Sequence, residues 1–273
     1  MKIRFFLLGT TLLLILSAWI RVLEKPTLYL VGDSTVAHGS GNNGLWGWGK
    51  YLGEWFDPAR IMIENRAVGG TSSRTYLTNG VWNKDLLKNG LWNGPDGVMA
   101  SLKPGDYVLL QFGHNDASPV LDTARARGSI KGIGDETQAI FNPVTKQDEV
   151  VHTYGWYMTK LIAEVKSKGA IPIVCSPTPR NIWKDGKVVR NTTDYGKWAA
   201  EVATRTGAYF IDLNGLIADA YEEQGEEKVK AQYFGLKDNT HTLEPGAKLN
   251  AACVAKGIRQ LKSCPLQTYL IHP

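Results

Sequence analysis

Hydrophobic positions along the chain fall into two kinds of run. Five short stretches are apolar almost throughout: Thr27–Gly32 (TLYLVG), Ile61–Glu64, Asp106–Phe112 (DYVLLQF), Ile171–Cys175 (IPIVC) and Ala208–Leu213 (AYFIDL). They lack the apolar-polar alternation of half-exposed strands, and such runs mark strands covered on both faces, as in a parallel sheet. Between them lie stretches with helical spacing: Trp48–Trp55, Val81–Lys88, His152–Lys168, Asp194–Thr206 and Asn214–Gln224. A last helix is predicted from Glu244-Pro245-Gly246, with proline in a helix-opening position, to about Leu261. Strands alternating with helices predict the α/β class: a three-layer α/β/α sandwich around a five-stranded parallel sheet, joined by right-handed crossovers. No repeat or linker interrupts the pattern, so residues 26–273 are expected to form one domain. From Ala117 to about Val151 the pattern lapses and no element is predicted. A loop of that length in a compact domain usually serves as a lid or a substrate platform.

The N-terminus changes this picture. Lys2 and Arg4 precede an uncharged run, Phe5–Ile20, that is short for a membrane span and suits the apolar core of a secretory signal. An A-x-A cleavage site is missing, and Ser17-Ala18 is the nearest small pair. Residues 1–25 are therefore expected to be a removed signal peptide or an uncleaved anchor, and the body to be exported, either secreted or held in the periplasm or cell envelope. The leader holds Lys2, Arg4, Arg21 and Lys25 against Glu24, so it supplies three of the five net positive charges. With no long basic run elsewhere, the pI near 9.0 does not argue for a nucleic-acid partner. Cys253 and Cys264 lie close enough in sequence to pair across a helix end, and Cys175 sits in an apolar run as a small buried hydrophobe. No Cys/His spacing suggests zinc.

The candidate chemistry gathers where ligands bind such sheets, at the carboxyl ends of the strands. The first strand runs into Gly32-Asp33-Ser34-Thr35, a tight turn that exposes a serine hydroxyl and aims its own N–H at a bound oxyanion. The G-x-S-x-G elbow is absent, so serine chemistry here needs another geometry. Among the five histidines, His241 follows Asp238 by three residues, a spacing at which one turn brings the carboxylate to Nδ1 and leaves Nε2 free as a base. Gly69-Gly70 allows backbone to approach a ligand closely. Asn115 adds a side-chain amide donor. With Ser34 N–H these make an oxyanion hole, in which one donor is worth roughly 3 kcal/mol.

In these residues the chain resembles the SGNH (GDSL) hydrolases. Gly-Asp-Ser-Thr at 32–35, Gly70, Gly113-His114-Asn115-Asp116 and Asp238-x-x-His241 look like that family's four blocks. The stretches GDSTVA (32–37), NRAVGGTSSRTY (65–76), FGHND (112–116) and DNTHTLEPGA (238–247) are closest to its rhamnogalacturonan acetylesterases, carbohydrate esterase family 12. The resemblance implies Ser34 as nucleophile, His241 as base and then acid, and Asp238 as its orienting carboxylate. It implies an oxyanion hole from Ser34, Gly70 and Asn115, an SGNH/flavodoxin-like sheet and no cofactor or metal. His114 and Asp116 are expected to shape the pocket.

Aromatic content near these blocks favours a sugar. Trp46 and Trp48 follow the nucleophile turn, and Trp82 and Trp92 follow Gly70. Arg74, Lys131 and Arg180 are candidates to meet uronate carboxylates. The expected partner is an acetylated polysaccharide or oligosaccharide, with no nucleic acid and a membrane only through the anchor. Two alternatives stay open: a lipid or thioester acylhydrolase of the same superfamily, which needs an extended apolar groove, and a non-catalytic carbohydrate-binding module.

Overall fold

The structure, a computed structural model, describes residues 24–39, 44–83 and 97–271. Residues 1–23 of the leader, Trp92 and most of the predicted helix Val81–Lys88 lie outside the described residues.

The five apolar runs form one parallel sheet: β1 (Thr27–Gly32), β2 (Met62–Asn65), β3 (Tyr107–Gln111), β6 (Ile171–Cys175) and β9 (Tyr209–Ile211), in the spatial order β2-β1-β3-β6-β9. In register, Leu28 faces Tyr107 and Gly32 faces Gln111, while Tyr107 faces Ile171. Two-fold alternation explains why both faces of the central runs are apolar, while β2, at the sheet edge, is only partly buried. Leu28, Leu30, Leu109, Ile173 and Ile211 enter one core, and Tyr29, Val31, Val108, Leu110 and Val174 enter the other. The first core packs against the helices Leu213–Gln224 (α5) and Glu244–Gln260 (α7), the second against Tyr154–Ser167 (α3) and Tyr195–Thr206 (α4). Each fully buried aliphatic side chain stabilises this arrangement by about 1.5–3 kcal/mol. The helix ends are set locally: the Thr153 hydroxyl accepts the N–H of Trp156 to open α3, and Gly207, at φ 63°, closes α4 in the left-handed conformation.

Three expectations need correction. The predicted helix Trp48–Trp55 is two 3₁₀ turns, Trp48–Lys50 and Leu52–Trp55, packed under the nucleophile turn. Gly49 lets the first turn pack close: a Cβ there would sit 2.4 Å from the Val36 carbonyl oxygen. The stretch 117–151 is not without structure, because it carries most of an antiparallel hairpin, β4 (Thr137–Asn142) and β5 (Gln147–His152). Its exposed face mixes Thr137, Asp148 and His152 with Ala139, Phe141 and Val150, so the strands show no unbroken apolar run. The Asn142-Pro143 pair at its turn was the available signal: Asn142 Oδ1 accepts the N–H of Val144 and of Thr145. Third, Cys253 and Cys264 do not pair; both are buried free thiols, like Cys175, and burial pushes the Cys253 thiol up to about 12. Two short helices, Ser73–Thr78 (α1) and Glu226–Gln232 (α6), and a small hairpin of Trp183–Lys184 (β7) with Lys187–Val188 (β8) complete the elements used below with Val98–Ser101 (α2). No helix among the described residues is long and apolar enough to cross a membrane.

Candidate active site

Strand β1 delivers Asp33, Ser34 and Thr35 to the end of the sheet. The turn needs glycine at 32, since a Cβ would lie 2.6 Å from both the Gln111 carbonyl oxygen and Val36 Cγ2. Asp33 is fully buried, and its Oδ1 accepts the backbone N–H (2.8 Å) and the hydroxyl (2.7 Å) of Thr35. Burial alone would raise the Asp33 carboxyl. The His114 ring and the Thr35 hydrogen bonds outweigh it and hold that carboxyl below its usual range. Gln111 Nε2 donates to Thr35 Oγ1, and Trp48 Nε1 donates to Gln111 Oε1. Trp48 is thus a fully buried strut beneath the turn and not a sugar-stacking surface, which corrects that expectation.

The segment before α7 brings the histidine. Ser34 Oγ and His241 Nε2 are 2.8 Å apart, and His241 Nδ1 lies 2.7 Å from Asp238 Oδ2. Asp238 Oδ1 also accepts the N–H groups of Thr240 (2.8 Å) and His241 (2.9 Å). Partial burial opposes ionisation of Asp238, but these N–H groups and the imidazole prevail and keep its carboxyl below the ordinary value. A carboxylate only accepts hydrogen bonds, so Nδ1 carries the proton and Nε2 is left to accept from Ser34. Two straps fix the histidine segment. Trp46 N–H donates to the Thr242 carbonyl while the Thr242 hydroxyl donates to the Trp46 carbonyl, both at 2.8 Å, and Asn181 N–H donates to the Asn239 carbonyl at 2.7 Å.

Gly70, at φ +81°, occupies a conformation that favours glycine. Asn115 Nδ2 spends one hydrogen on the Thr71 carbonyl (2.7 Å), which fixes the amide and leaves its second hydrogen available. No described residue accepts a hydrogen bond from Ser34 N–H or Gly70 N–H. His114 stands further back. Its Nε2 donates to the Thr178 carbonyl at 2.9 Å, and its Nδ1 lies 3.4 Å from Asp33 Oδ2, with neither atom making a well-formed hydrogen bond there.

A cavity of about 480 Å³ opens over Ser34 and His241, walled by Trp46, Leu45, Asn65 and Gly69 among others. Trp46 thus borders the cavity, as a substrate-facing residue must; Leu45 is a wall residue that no motif marked, and Asn65 opens the stretch 65–76 without carrying a role there. The arginine expectations fail in part. Arg74 is fully buried and engages Glu149 through Nε (2.7 Å) and Nη2 (2.6 Å), with Nη1 on the Gly128 carbonyl (2.7 Å). It bolts the 117–151 segment to α1 and has no access to substrate. Arg180 is engaged by the Thr240 hydroxyl, Lys131 lines neither this cavity nor its neighbour, and Trp82 is buried with its Nε1 on Glu164.

Comparison with known proteins gives the chain a family. A match to the GDSL-like lipase/acylhydrolase family spans residues 30–248. The probable rhamnogalacturonan acetylesterase YesY of Bacillus subtilis is 30% identical over 237 residues, 86% of this chain and 93% of its own. The rhamnogalacturonan acetylesterase of Emericella nidulans is 30% identical over 233 residues, 85% of this chain and 84% of its own. The crystal structure of YxiM from Bacillus subtilis shares the fold with a TM-score of 0.64 at 22% identity; the match covers 88% of this chain and 58% of that one. With 80% or more of both relatives matched and the family's blocks meeting at the sheet ends, the chain belongs to the GDSL-like lipase/acylhydrolase family and is a carboxylic ester hydrolase.

Proposed function

We propose that this protein is an exported carbohydrate O-acetylesterase that removes acetyl groups from a plant cell-wall polysaccharide, rhamnogalacturonan foremost, through an acyl-enzyme on Ser34. The observation that carries the reading is the contact chain Ser34–His241–Asp238, at 2.8 and 2.7 Å, beside the N–H groups of Ser34 and Gly70, from which no described residue accepts. Similarity to two rhamnogalacturonan acetylesterases supports the substrate. The charged and then apolar leader supports export.

In this reading Ser34 Oγ attacks the acetyl carbonyl carbon and passes its proton to His241 Nε2. The carbonyl oxygen becomes an oxyanion between Ser34 N–H, Gly70 N–H and Asn115 Nδ2, donors already in place before the charge develops. The C–O bond to the sugar then breaks, and His241 returns its proton to the departing sugar oxygen. Water, deprotonated by the same Nε2, attacks the acetyl-Ser34 ester and releases acetate. Asp238 keeps Nδ1 protonated and stabilises the imidazolium in both halves.

Acetate release from acetylated rhamnogalacturonan, acetylated xylan and 4-nitrophenyl esters of rising chain length tests this. Acetate from rhamnogalacturonan, with a preference for acetyl over octanoyl esters, is the expected result. A higher kcat/KM on octanoyl esters would move the enzyme to the lipid class.

A further inference from the structure

The wall that carries Gly69 has a second side. Gly69 also borders a cavity of about 400 Å³ lined by Gly70, Thr71, Thr75, Asn79, Arg125 and Val144, among others. The two glycines divide the cavities between them. A Cβ on Gly69 would lie 3.7 Å from Ser34 Cβ, whereas a Cβ on Gly70 would lie 3.0 Å from an Nη of Arg125. Arg125 therefore sits directly across the oxyanion-hole backbone from the nucleophile.

The state of its charge is unusual for this protein. Arg74 is wholly committed to Glu149 and two carbonyls, and Arg127 donates to Ser118 Oγ with Asp122 at 4.0 Å. Among the described residues, by contrast, no hydrogen bond or ion pair engages the Arg125 guanidinium or the Asn79 side-chain amide. Arg127 is held below its usual range, first by burial and next by the charge of Arg125, with Asp122 and Asp33 opposing, so Arg125 stands close enough for its charge to be felt across the segment. The backbone is nevertheless pinned. Ala126 is buried at φ 46°, a conformation that costs a residue with a Cβ roughly 1–2 kcal/mol, and its N–H donates to the Asp122 carbonyl at 2.8 Å.

From this juxtaposition we infer that the second cavity is a subsite for a carboxylate-bearing sugar. Arg125 takes the carboxylate as a forked donor, and the Asn79 amide meets a neighbouring sugar oxygen. The inference rests on the carbohydrate-esterase reading and adds that substrate selection is made by a uronate next to the acetylated sugar. A carboxylate is favoured over a phosphate because the cavity offers one guanidinium and a neutral amide, and no described lysine lines it.

The experiment compares Arg125→Ala, Arg125→Lys and Asn79→Ala with the full-length protein. Two readouts are taken: the ratio of kcat/KM on acetylated rhamnogalacturonan to that on 4-nitrophenyl acetate, and competitive inhibition of 4-nitrophenyl acetate hydrolysis by digalacturonate and by its neutral dimethyl ester. Losing one charge-assisted pair is expected to lower that ratio for Arg125→Ala by about tenfold or more, through KM. Digalacturonate inhibition should weaken by a similar factor, Arg125→Lys should recover part of both, and the dimethyl ester should inhibit poorly throughout. An equal fall of kcat on both substrates would overturn the subsite and make Arg125 part of the oxyanion machinery. Equal inhibition by the acid and its ester would also overturn it. A wild-type enzyme that releases no acetate from any polysaccharide sinks the esterase reading instead. Digalacturonate inhibition then still decides the subsite, and its absence overturns that too.

Discussion

The two cavities that meet at Gly69 are built in opposite ways. Around Ser34 the triad candidates and their neighbours are held in place: Asp238 by two backbone N–H groups, His241 by Asp238, Asn115 by the Thr71 carbonyl and Asp33 by Thr35. Across the glycines, Arg125 and Asn79 are held by nothing comparable, although the backbone beneath Arg125 is fixed. The difference follows from what each side must do. Acyl transfer needs donors aimed at charge that exists only in the transition state, and misplacement by about 1 Å costs on the order of 100-fold. A substrate carboxylate is present before and after the reaction, so the groups that bind it can settle when it arrives. Turns at the ends of a parallel sheet supply the first kind of site. The second kind is shared between the segment inserted at 117–151, which brings Arg125, and the end of α1, which brings Asn79.

If the insertion is a separate attachment, the bolt that fastens it is its weak point. Arg74→Ala removes a buried guanidinium and leaves Glu149, 15% exposed, with only Asn142 Nδ2 against its charge. Breaking one partner of a buried pair costs about 3–5 kcal/mol. Urea unfolding should show that loss, and hydrogen exchange should show faster opening of 117–151 than of the β1 and β3 amides. A loss under about 1 kcal/mol, or uniform exchange, would mean that the insertion belongs to the sheet's own cooperative unit.

A somewhat smaller effect separates the cavities chemically. Asn115→Ala removes the amide donor while the backbone donors of Ser34 and Gly70 remain. Losing one such donor costs on the order of 100-fold, and the loss should fall on kcat with KM little changed. The same split should hold for acetylated polysaccharide and for 4-nitrophenyl acetate, unlike the KM effect expected at Arg125. A pure KM effect at Asn115 would place that amide on the ground-state substrate and erase the contrast.

How far the sequence disclosed each side also follows the contrast. Thr27–Gly32 and Ile171–Cys175 were legible to the residue because strands buried on both faces leave unbroken apolar runs. The triad candidates were legible because each is tied to its neighbours by short spacings, Gly-Asp-Ser and Asp-x-x-His. The arginines were not. Arg74 lies in the block that carries Gly70 and looks like a ligand-facing charge, yet its partner Glu149 is 75 positions away. Arg125, in an unpatterned stretch, looks like an ordinary solvated cation. Which guanidinium is spent and which is free depends on long-range pairing, and no local spacing encodes it. Trp48 misled in the same way, since its place is set by Gln111, a distant residue at the end of β3.

The smallest expected effect concerns the seam between the two regions, where Asp116 is fully buried. Its carboxylate accepts the hydroxyls of Ser73 (2.5 Å) and Ser129 (3.1 Å) and the N–H of Ser73 (3.2 Å), so it joins α1 to the start of the insertion. Burial pushes its carboxyl up from 3.8 to about 6; the serine hydrogen bonds pull it down, and the charge of Asp33 adds to the rise. A value raised on folding means that the folded chain binds this proton more tightly than the unfolded chain does. The favourable contribution is therefore complete below pH 4, drains away as pH rises from about 4 through about 6, and leaves a cost of about 3 kcal/mol at pH 7. Asp33 and Asp238, held below their usual range, act in the opposite sense and lose stability as pH falls. Wild type against Asp116→Asn separates the two signs, because Asp33 and Asp238 remain in both proteins. Asparagine at 116 gives up one acceptor, so the variant starts less stable at pH 4. From pH 4 to pH 7 its urea midpoint should then gain on wild type by the equivalent of about 2 kcal/mol, with most of the change between pH 4 and 6. Parallel profiles would mean that Asp116 is ionised in the folded chain as readily as in the unfolded one, and that its serine hydrogen bonds fully offset its burial.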